Sequence, residues 1–286
     1  MTGDDHDEES VQLIEQWLSL RFGLQFAGAK RDLLRNRLRQ RLAASGMDSY
    51  FDYFIALRAG ADPEEIGLLV DAVTNGETYF FREEDQVFAY LHELQTTGGR
   101  SDLRVLSAGC STGEEAYTLA IRFGEALSWT RHVHVDACDL DELRLSKART
   151  ALYHGRALRA TTDAQRETYF QDLSNGLMLV RGQYRSMVRF FAANLLEPES
   201  LPQTGKYDAI FCRNVLIYFS EAAIDAALTS MALWLRPGGT LYLGHSESIV
   251  GRSPFFRTER SGDCIVYRRT EDAVEVSTFH RKAAYG

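Results

Sequence analysis

No stretch of the 286-residue sequence is apolar for long enough to cross a bilayer. The N-terminus, Met1-Thr-Gly-Asp-Asp-His-Asp-Glu-Glu9, is acidic and lacks the apolar core of a secretory signal, so stable membrane insertion is not expected and the cytoplasm is the expected location. Cysteine is scarce. Cys110, Cys138, Cys212 and Cys264 are scattered, with no Cys-x-x-Cys pair, which argues against a disulfide frame or a zinc site and leaves no metal expected. Positive charge is in deficit: 32 Lys and Arg face 40 Asp and Glu, for a net charge of −8, and a general nucleic-acid binder needs the opposite balance. Internal repeats and low-complexity segments are missing too. So is the Gly-x-Gly-x-x-Gly turn of dinucleotide enzymes, which ranks a nicotinamide oxidoreductase far behind other readings. What is there is an ordinary globular composition, 45% hydrophobic and 25% charged, enough for one large domain or two modest ones. Nothing in it demands more than a monomer.

The most informative stretch is Leu103-Arg-Val-Leu-Ser-Ala-Gly-Cys-Ser-Thr-Gly-Glu-Glu-Ala-Tyr-Thr-Leu-Ala120. It predicts a buried strand, a turn framed by Gly109 and Gly113, and a helix that Ser111 or Thr112 can cap. Such a turn brings backbone amides up to a ligand, because glycine removes the Cβ that would block the approach. Glu114 and Glu115 stand at the helix start, where a phosphate would otherwise sit. The turn therefore disfavours a pyrophosphate and favours a ligand carrying positive charge.

Residues 1–10 are expected to be a mobile acidic leader. From Val11 to Phe88 the apolar spacing is helical, which predicts an all-helical first domain over residues 11–88. One of its helices, Lys30–Leu42, carries an apolar stripe of Leu34, Leu38 and Leu42. Arg31, Arg35 and Arg39 run along one side, and Lys30, Arg37 and Arg41 along the other. Six basic side chains against one acid, Asp32, fit either a solvated face whose stems cover apolar neighbours or a docking surface for an acidic helical partner. Next, Tyr79-Phe80-Phe81 reads as a core segment joining two domains. Arg82 beside it needs an anionic partner, from the protein or from a substrate.

Over residues 89–270 strands and helices alternate, which predicts a parallel, doubly wound sheet with ligands at the carboxyl ends of its strands. Strands are expected at Leu103–Ala108, His132–Cys138, Val188–Ala192, Tyr207–Cys212, Thr240–His245 and Ile265–Arg268. Helices are expected at Glu114–Leu127, Asp141–Ala151 and Ala222–Leu235. Arg236-Pro-Gly-Gly239 reads as a helix stop and tight turn. A small strand-rich excursion at about residues 165–188 interrupts the pattern, with strands expected at Leu177–Val180 and Gln183–Val188. The polar tail 271–286 is expected to be loosely held.

The strand ends carry candidate ligand groups. Asp139 stands where a carboxylate can accept from both hydroxyls of a ribose, and Asp141 suits a helix cap. Asn194 and Leu195 can read and cover an adenine. Arg213, Asn214 and Tyr218 put three polar groups at the mouth of the site. Occurring at successive strand ends, these residues mean more together than singly.

Taken with Glu77-Thr-Tyr-Phe-Phe-Arg82, Ser111-Thr-Gly-Glu-Glu115, Asp139-Leu-Asp141, Asn194-Leu195, Phe211-Cys-Arg-Asn-Val-Leu-Ile-Tyr-Phe219 and Gly244-His-Ser-Glu247, the chain resembles the chemotaxis-receptor methyltransferases of the CheR type, over roughly Val11 to Arg268. The resemblance implies an α/β fold: a Rossmann-like S-adenosylmethionine-dependent methyltransferase domain, an all-α N-terminal domain and a small inserted β-subdomain. It implies transfer of methyl from S-adenosylmethionine to receptor glutamates, leaving S-adenosylhomocysteine. Cofactor contacts are implied for Thr78, Arg82, Glu115, Asp139, Asn194, Leu195, Arg213 and Asn214, and contact with the substrate glutamate for Arg82 and Tyr218, with Arg213 helping to orient it. The implied partner is the cytoplasmic helical domain of chemoreceptors, docked on Lys30, Arg31, Arg35, Arg37, Arg39 and Arg41. A glutamate carboxylate, with a pKa near ~4.3, arrives ionised and needs no general base. Two departures stand out. Gly76 replaces an Asn found in many members. The hairpin around Ser174–Gln183 is short, which fits a version independent of a tethering peptide at the receptor's C-terminus. A non-catalytic module that senses S-adenosylmethionine or binds receptors is the alternative, and the intact Arg82 and Tyr218 argue against it.

Overall fold

The computed structural model describes residues 3–60, 62–74, 76–97, 101–127, 132–201 and 207–271. The tail expected to be loosely held lies, after Glu271, outside the described residues.

Four helices, α1 (Gly3–Phe22), α2 (Ala29–Ser45), α3 (Tyr50–Ala59) and α4 (Pro63–Val73), form the N-terminal layer. Their ends follow the local chemistry. The Ser49 side chain accepts from the Asp52 amide and starts α3; Asp62 accepts from the Glu64 and Glu65 amides, with Pro63 opening α4. Apolar residues at helical spacing meet inside: Ile14 and Leu18 from α1, Leu34 and Leu38 from α2, Tyr53 and Leu57 from α3, and Leu69 from α4. Burying each stabilises the layer by roughly 1.5–3 kcal/mol against leaving it exposed. The segment expected to be a mobile leader is instead part of α1, which begins at Gly3. Ser10 is buried and Glu8 pairs with Arg31 and Arg35 of α2, so the acids have cations to meet.

Helix α5 (Asp85–Thr96) crosses the boundary expected at residue 88. Its Val87, Tyr90, Leu91 and Leu94 belong to the core of the sheet that follows. That sheet uses β1 (Asp102–Ala108), β2 (His132–Asp139), β6 (Val188–Ala192), β7 (Tyr207–Cys212), β8 (Leu235–Leu243), β9 (Phe256–Ser261) and β10 (Cys264–Arg269). Their order is β6-β2-β1-β7-β8-β10-β9. The strands from β6 to β8 are parallel, with β10 and β9 antiparallel at one edge. Helices α6 (Glu114–Ala126), α7 (Glu142–Thr150) and α10 (Glu221–Trp234) connect them. From β1 the chain winds out through β2 to β6, then returns to β7 on the other side. The carboxyl ends of β1 and β7 therefore flank the switch point where such sheets take ligands.

A small antiparallel sheet, ordered β3-β5-β4, stands beside the large one. It comprises β3 (Leu152–Tyr153), β4 (Phe170–Asp172) and β5 (Met178–Val180), with α8 (Asp163–Tyr169) before β4. Thus it begins at Leu152, ahead of the expected residue 165. Phe80 is fully buried against it, edge-on to Tyr153 and Phe170 with centroids 4.8 and 4.9 Å away. Of the aromatic run expected to join two domains, Phe80 and Phe81 pack in the core of the large sheet.

Three local expectations change. Gln183–Val188 is not a strand: Gly182–Arg185 is a helical turn, α9, which buries Tyr184 edge-on to Tyr169, and β6 starts at Val188. Arg236-Pro-Gly-Gly239 lies inside β8 as an irregularity, because Tyr207 pairs with Leu235 while Ala209 pairs with Thr240. Strand β9 had no clear signal, since Phe256-Arg-Thr-Glu-Arg-Ser261 is a mostly polar edge strand.

Candidate functional site

The turn after β1 is built against its neighbours. Gly109 and Gly113 have φ of 79° and 93°. A Cβ on Gly109 would lie 2.5 Å from Val215 Cγ2, so only glycine lets the loop after β7 pack there. The Gly109 and Cys110 amides both donate to the Cys138 carbonyl, at 2.8 and 2.9 Å. Gly113 is the N-cap of α6, rather than the expected Ser111 or Thr112. Ser111, itself at φ 50°, instead donates its amide to Asp139 Oδ2 at 2.8 Å. Thr112 donates to the side chain of Glu114, which is buried outside the cavity. Burial raises the Glu114 carboxyl above its ordinary value, and the Thr112 bond offsets part of that.

A cavity of about 1020 Å³, open mouth included, lies over the switch point. Thr78, Arg82, Glu115, Asp139, Asn194, Leu195, Arg213, Asn214 and Tyr218 all line it, so the structure gathers the expected strand-end residues in one place. Asp139 is 8% exposed, with Oδ2 accepting from Ser111 and Oδ1 from the Asp141 amide at 3.0 Å. Each oxygen is oriented by one amide and keeps acceptor capacity for a diol. Asp141 caps α7, accepting from the Leu143 and Arg144 amides.

Two side chains are engaged differently from the expectation. Arg213 donates from Nε to Glu115 Oε2 at 2.7 Å and from Nη1 to the Arg82 and Glu83 carbonyls at 2.9 and 2.8 Å. It braces the Arg82 segment and neutralises Glu115, which also accepts from Ser107 Oγ at 2.6 Å, so these contacts leave it poorly placed to orient a substrate. The Asn194 amide group donates to the Arg21 carbonyl and Glu197 and accepts from the Leu196 amide. It holds its loop to α1, and Leu195 beside it lines the cavity with apolar surface.

Arg82 lies at the mouth. It donates to the Glu77 carbonyl at 3.1 Å, stands 3.5 Å from Glu83 and 5.6 Å from the Tyr79 ring. Phe81 and Glu83 on either side have φ of 62° and 49°, strain concentrated beside the cavity. Tyr218 is fixed from the N-terminal layer: its carbonyl accepts from the Gln25 amide at 2.8 Å, and Leu24 bridges to Phe219. Lys30 donates to the Ile217 carbonyl at 2.8 Å and sits 6.0 Å from the Tyr218 ring. None of the basic residues of α2 lines the cavity. Arg31 pairs with Glu15 and Glu8, Arg35 with Glu8, and Arg41 with Glu65, whereas Arg37 and Arg39 bond only to Gln40 and Asn36 among the described side chains. The acids facing α2 come from α1 and α4, so counting charges within one helix missed them.

Sequence reasoning also missed Ser107, Ser111, Arg144 and Glu247 as parts of the site's frame. Arg144 donates to Asp71 at 2.7 Å and Thr74 at 3.0 Å, tying α7 to α4, and its guanidinium lies where a side chain on Gly76 would go. Gly244-His-Ser-Glu247 was visible as a motif, but its carboxylate's partners are backbone amides, which leave no trace in side-chain identity.

Residues 9–74 match the family model of the CheR methyltransferase all-alpha domain, and residues 76–263 that of the CheR methyltransferase SAM binding domain. The chain belongs to the CheR methyltransferase family. Among CheR relatives, a chemotaxis protein methyltransferase of Salmonella typhimurium is 37% identical over 250 residues, covering 86% of this chain and 84% of that protein. Chemotaxis protein methyltransferase 2 of Vibrio cholerae is 34% identical over 246 residues, covering 83% and 85%. A probable biofilm formation methyltransferase, WspC of Pseudomonas aeruginosa, is 30% identical over 263 residues, covering 91% of this chain and 62% of that protein. The cofactor of this CheR chain is S-adenosylmethionine. The donor set fits it: Asp139 offers paired acceptors suited to a ribose and Leu195 an apolar wall suited to a base, while Glu115 is held by Ser107 and Arg213.

Proposed function

We propose that this methyltransferase esterifies glutamate side chains on the cytoplasmic helices of chemoreceptors. The names of its relatives support the receptor as substrate. One observation supports the carboxylate as acceptor: the cavity offers a methyl donor site but no group suited to deprotonating an alcohol or amine. Among the described residues, neither histidine nor lysine lines it. Cys110 does, but burial raises its thiol well above the ordinary value. Glu115 is held by Arg213, Asp139 by two amides and Glu77 by Arg159 at 2.6 Å. A glutamate needs no base, because it arrives ionised.

The bound cofactor supplies an electrophilic methyl group on a sulfonium. The protein's part is alignment and exclusion of water. Phe22 and Leu24 from α1 and its exit loop close one wall, with Phe219 beside them. Tyr218 positions the acceptor oxygen. Arg82, partly engaged by Glu77 and Glu83, steers the carboxylate without blunting it. Arg37 and Arg39 remain for an acidic receptor helix. No described helix is long and apolar enough to cross a membrane, and the reaction we propose takes place in the cytoplasm.

Incubation with methyl-labelled S-adenosylmethionine and receptor-bearing membranes should place label on the receptor in a base-labile form. Intact cofactor binding with no receptor label would overturn this reading.

A further inference from the structure

Glu247 follows β8, yet its carboxylate is spent on the loop after β7. Oε2 accepts from the Asn214 amide at 2.8 Å and the Gly244 amide at 2.7 Å. Oε1 accepts from the Val215 amide at 2.9 Å and the Ile217 amide at 3.2 Å. One carboxylate thus gathers four backbone donors, three of them in the four residues leading to Tyr218. The loop is not a regular element that could satisfy those amides itself. Asn214 sits at φ 61°, and only a short 3₁₀ turn, Leu216–Tyr218, follows. Gly244 shows how close the fit is: a Cβ there would lie 2.8 Å from Glu247 Oε2 and 2.9 Å from the Asn214 amide. Burial raises the Glu247 carboxyl above its ordinary value, and the amides of Asn214, Gly244 and Ile217 bring it part of the way back, as expected of an anion held for its acceptor capacity.

We infer that Glu247 is a positioning residue for methyl transfer, fixing the height and direction of Tyr218 over the cavity by clamping the 214–217 loop. This rests on the reading of Tyr218 as the residue that places the acceptor. Glu247 does not line the cavity itself. Of the residues expected to meet the cofactor, Asn214 lies in the clamped loop, but Asp139 and Leu195 stand at and beyond the ends of β2 and β6, so disturbing the clamp should misplace the acceptor while leaving the donor largely bound. A misplacement of about 1 Å is enough to cost roughly 100-fold in rate.

The test is a double-variant cycle on receptor methylation, with S-adenosylhomocysteine binding followed by calorimetry. Glu247→Gln keeps the shape but replaces one acceptor oxygen with a carboxamide NH2, a donor that repels the two backbone amides facing it. It should lower kcat roughly 100-fold while cofactor affinity stays within about threefold. Glu247→Asp should restore part of the rate. Adding Tyr218→Phe to Glu247→Gln should cost little more than either change alone, because residues that act as a unit are non-additive. Should Glu247→Gln fail to fold, Gly244→Ala displaces the same carboxylate without removing its charge, and the same pattern is expected. Full additivity, or an unchanged kcat in both clamp variants, overturns the positioning role. A Tyr218→Phe enzyme at the wild-type rate overturns the reading of Tyr218 instead, so the two failures are told apart.

Discussion

Arg213 and Glu115 meet at 2.7 Å with 3% and 14% of their side chains exposed, so neither can lose the other cheaply. Arg213 also holds two carbonyls of the Arg82 segment. Arg213→Met should cost about 3–5 kcal/mol of stability, the range for a buried charge left unpaired, seen as a lower urea midpoint. Glu114 behaves in the opposite sense. Its folded carboxyl is raised by burial, so the folded state binds its proton more tightly than the unfolded chain does. The penalty for ionising it is absent below the ordinary carboxylate value and grows as pH rises through the raised folded value. Glu114→Gln should therefore melt above the wild type near neutral pH, with the gain vanishing in acid. At this scale the sequence was informative where a residue type has one use at a strand end, as with Asp139. It picked out Arg213 and Asn214 but not their partners, because nothing in one strand shows that Glu115 of α6 or Glu247 after β8 arrives beside it.

Helix α2 shows the same limit one level up. Its apolar stripe predicted the buried Leu34 and Leu38, but its charges were counted against Asp32 alone. Folding brings Glu8 and Glu15 of α1 to Arg31 and Arg35, and Glu65 of α4 to Arg41. Tyr53 donates to the same Glu65 at 2.5 Å. Arg41→Ala should lower stability by about 1–2 kcal/mol, more than a solvent-exposed ion pair contributes. Arg39→Ala should stay within about 0.5 kcal/mol in the same denaturation series yet weaken receptor binding in pull-down. Equal effects from the two would remove the distinction between a structural and a docking side of α2. Elements whose pattern is local, such as β1, α6 and β7, were legible. The turn α9 depends on a partner from outside its own segment, Tyr169, and the edge strand β9 is too polar to show a buried face, although its partner β10 follows directly in a hairpin.

Across the whole molecule, the site exists because two layers share it. The alternation of strands and helices predicted the switch point, but not that α1 and its exit loop would wall it through Phe22 and Leu24. The layers are joined by the Leu24–Phe219 bridge and by Arg144 reaching Asp71 and Thr74. Gly76 makes room for that guanidinium: a Cβ there would lie 2.8 Å from Arg144 Cζ. Gly76→Asn should cost about 1–3 kcal/mol by overpacking and weaken cofactor binding in calorimetry, since the Thr78–Arg82 segment follows it. Unchanged stability and affinity would show that the latch gives way freely. The central claim, transfer to a glutamate carboxylate, is tested most directly by tandem mass spectrometry of receptor peptides after reaction with S-adenosylmethionine. The account predicts methyl esters on glutamate side chains, absent with Asp139→Ala. Methylation confined to lysine, arginine or a terminus would contradict it.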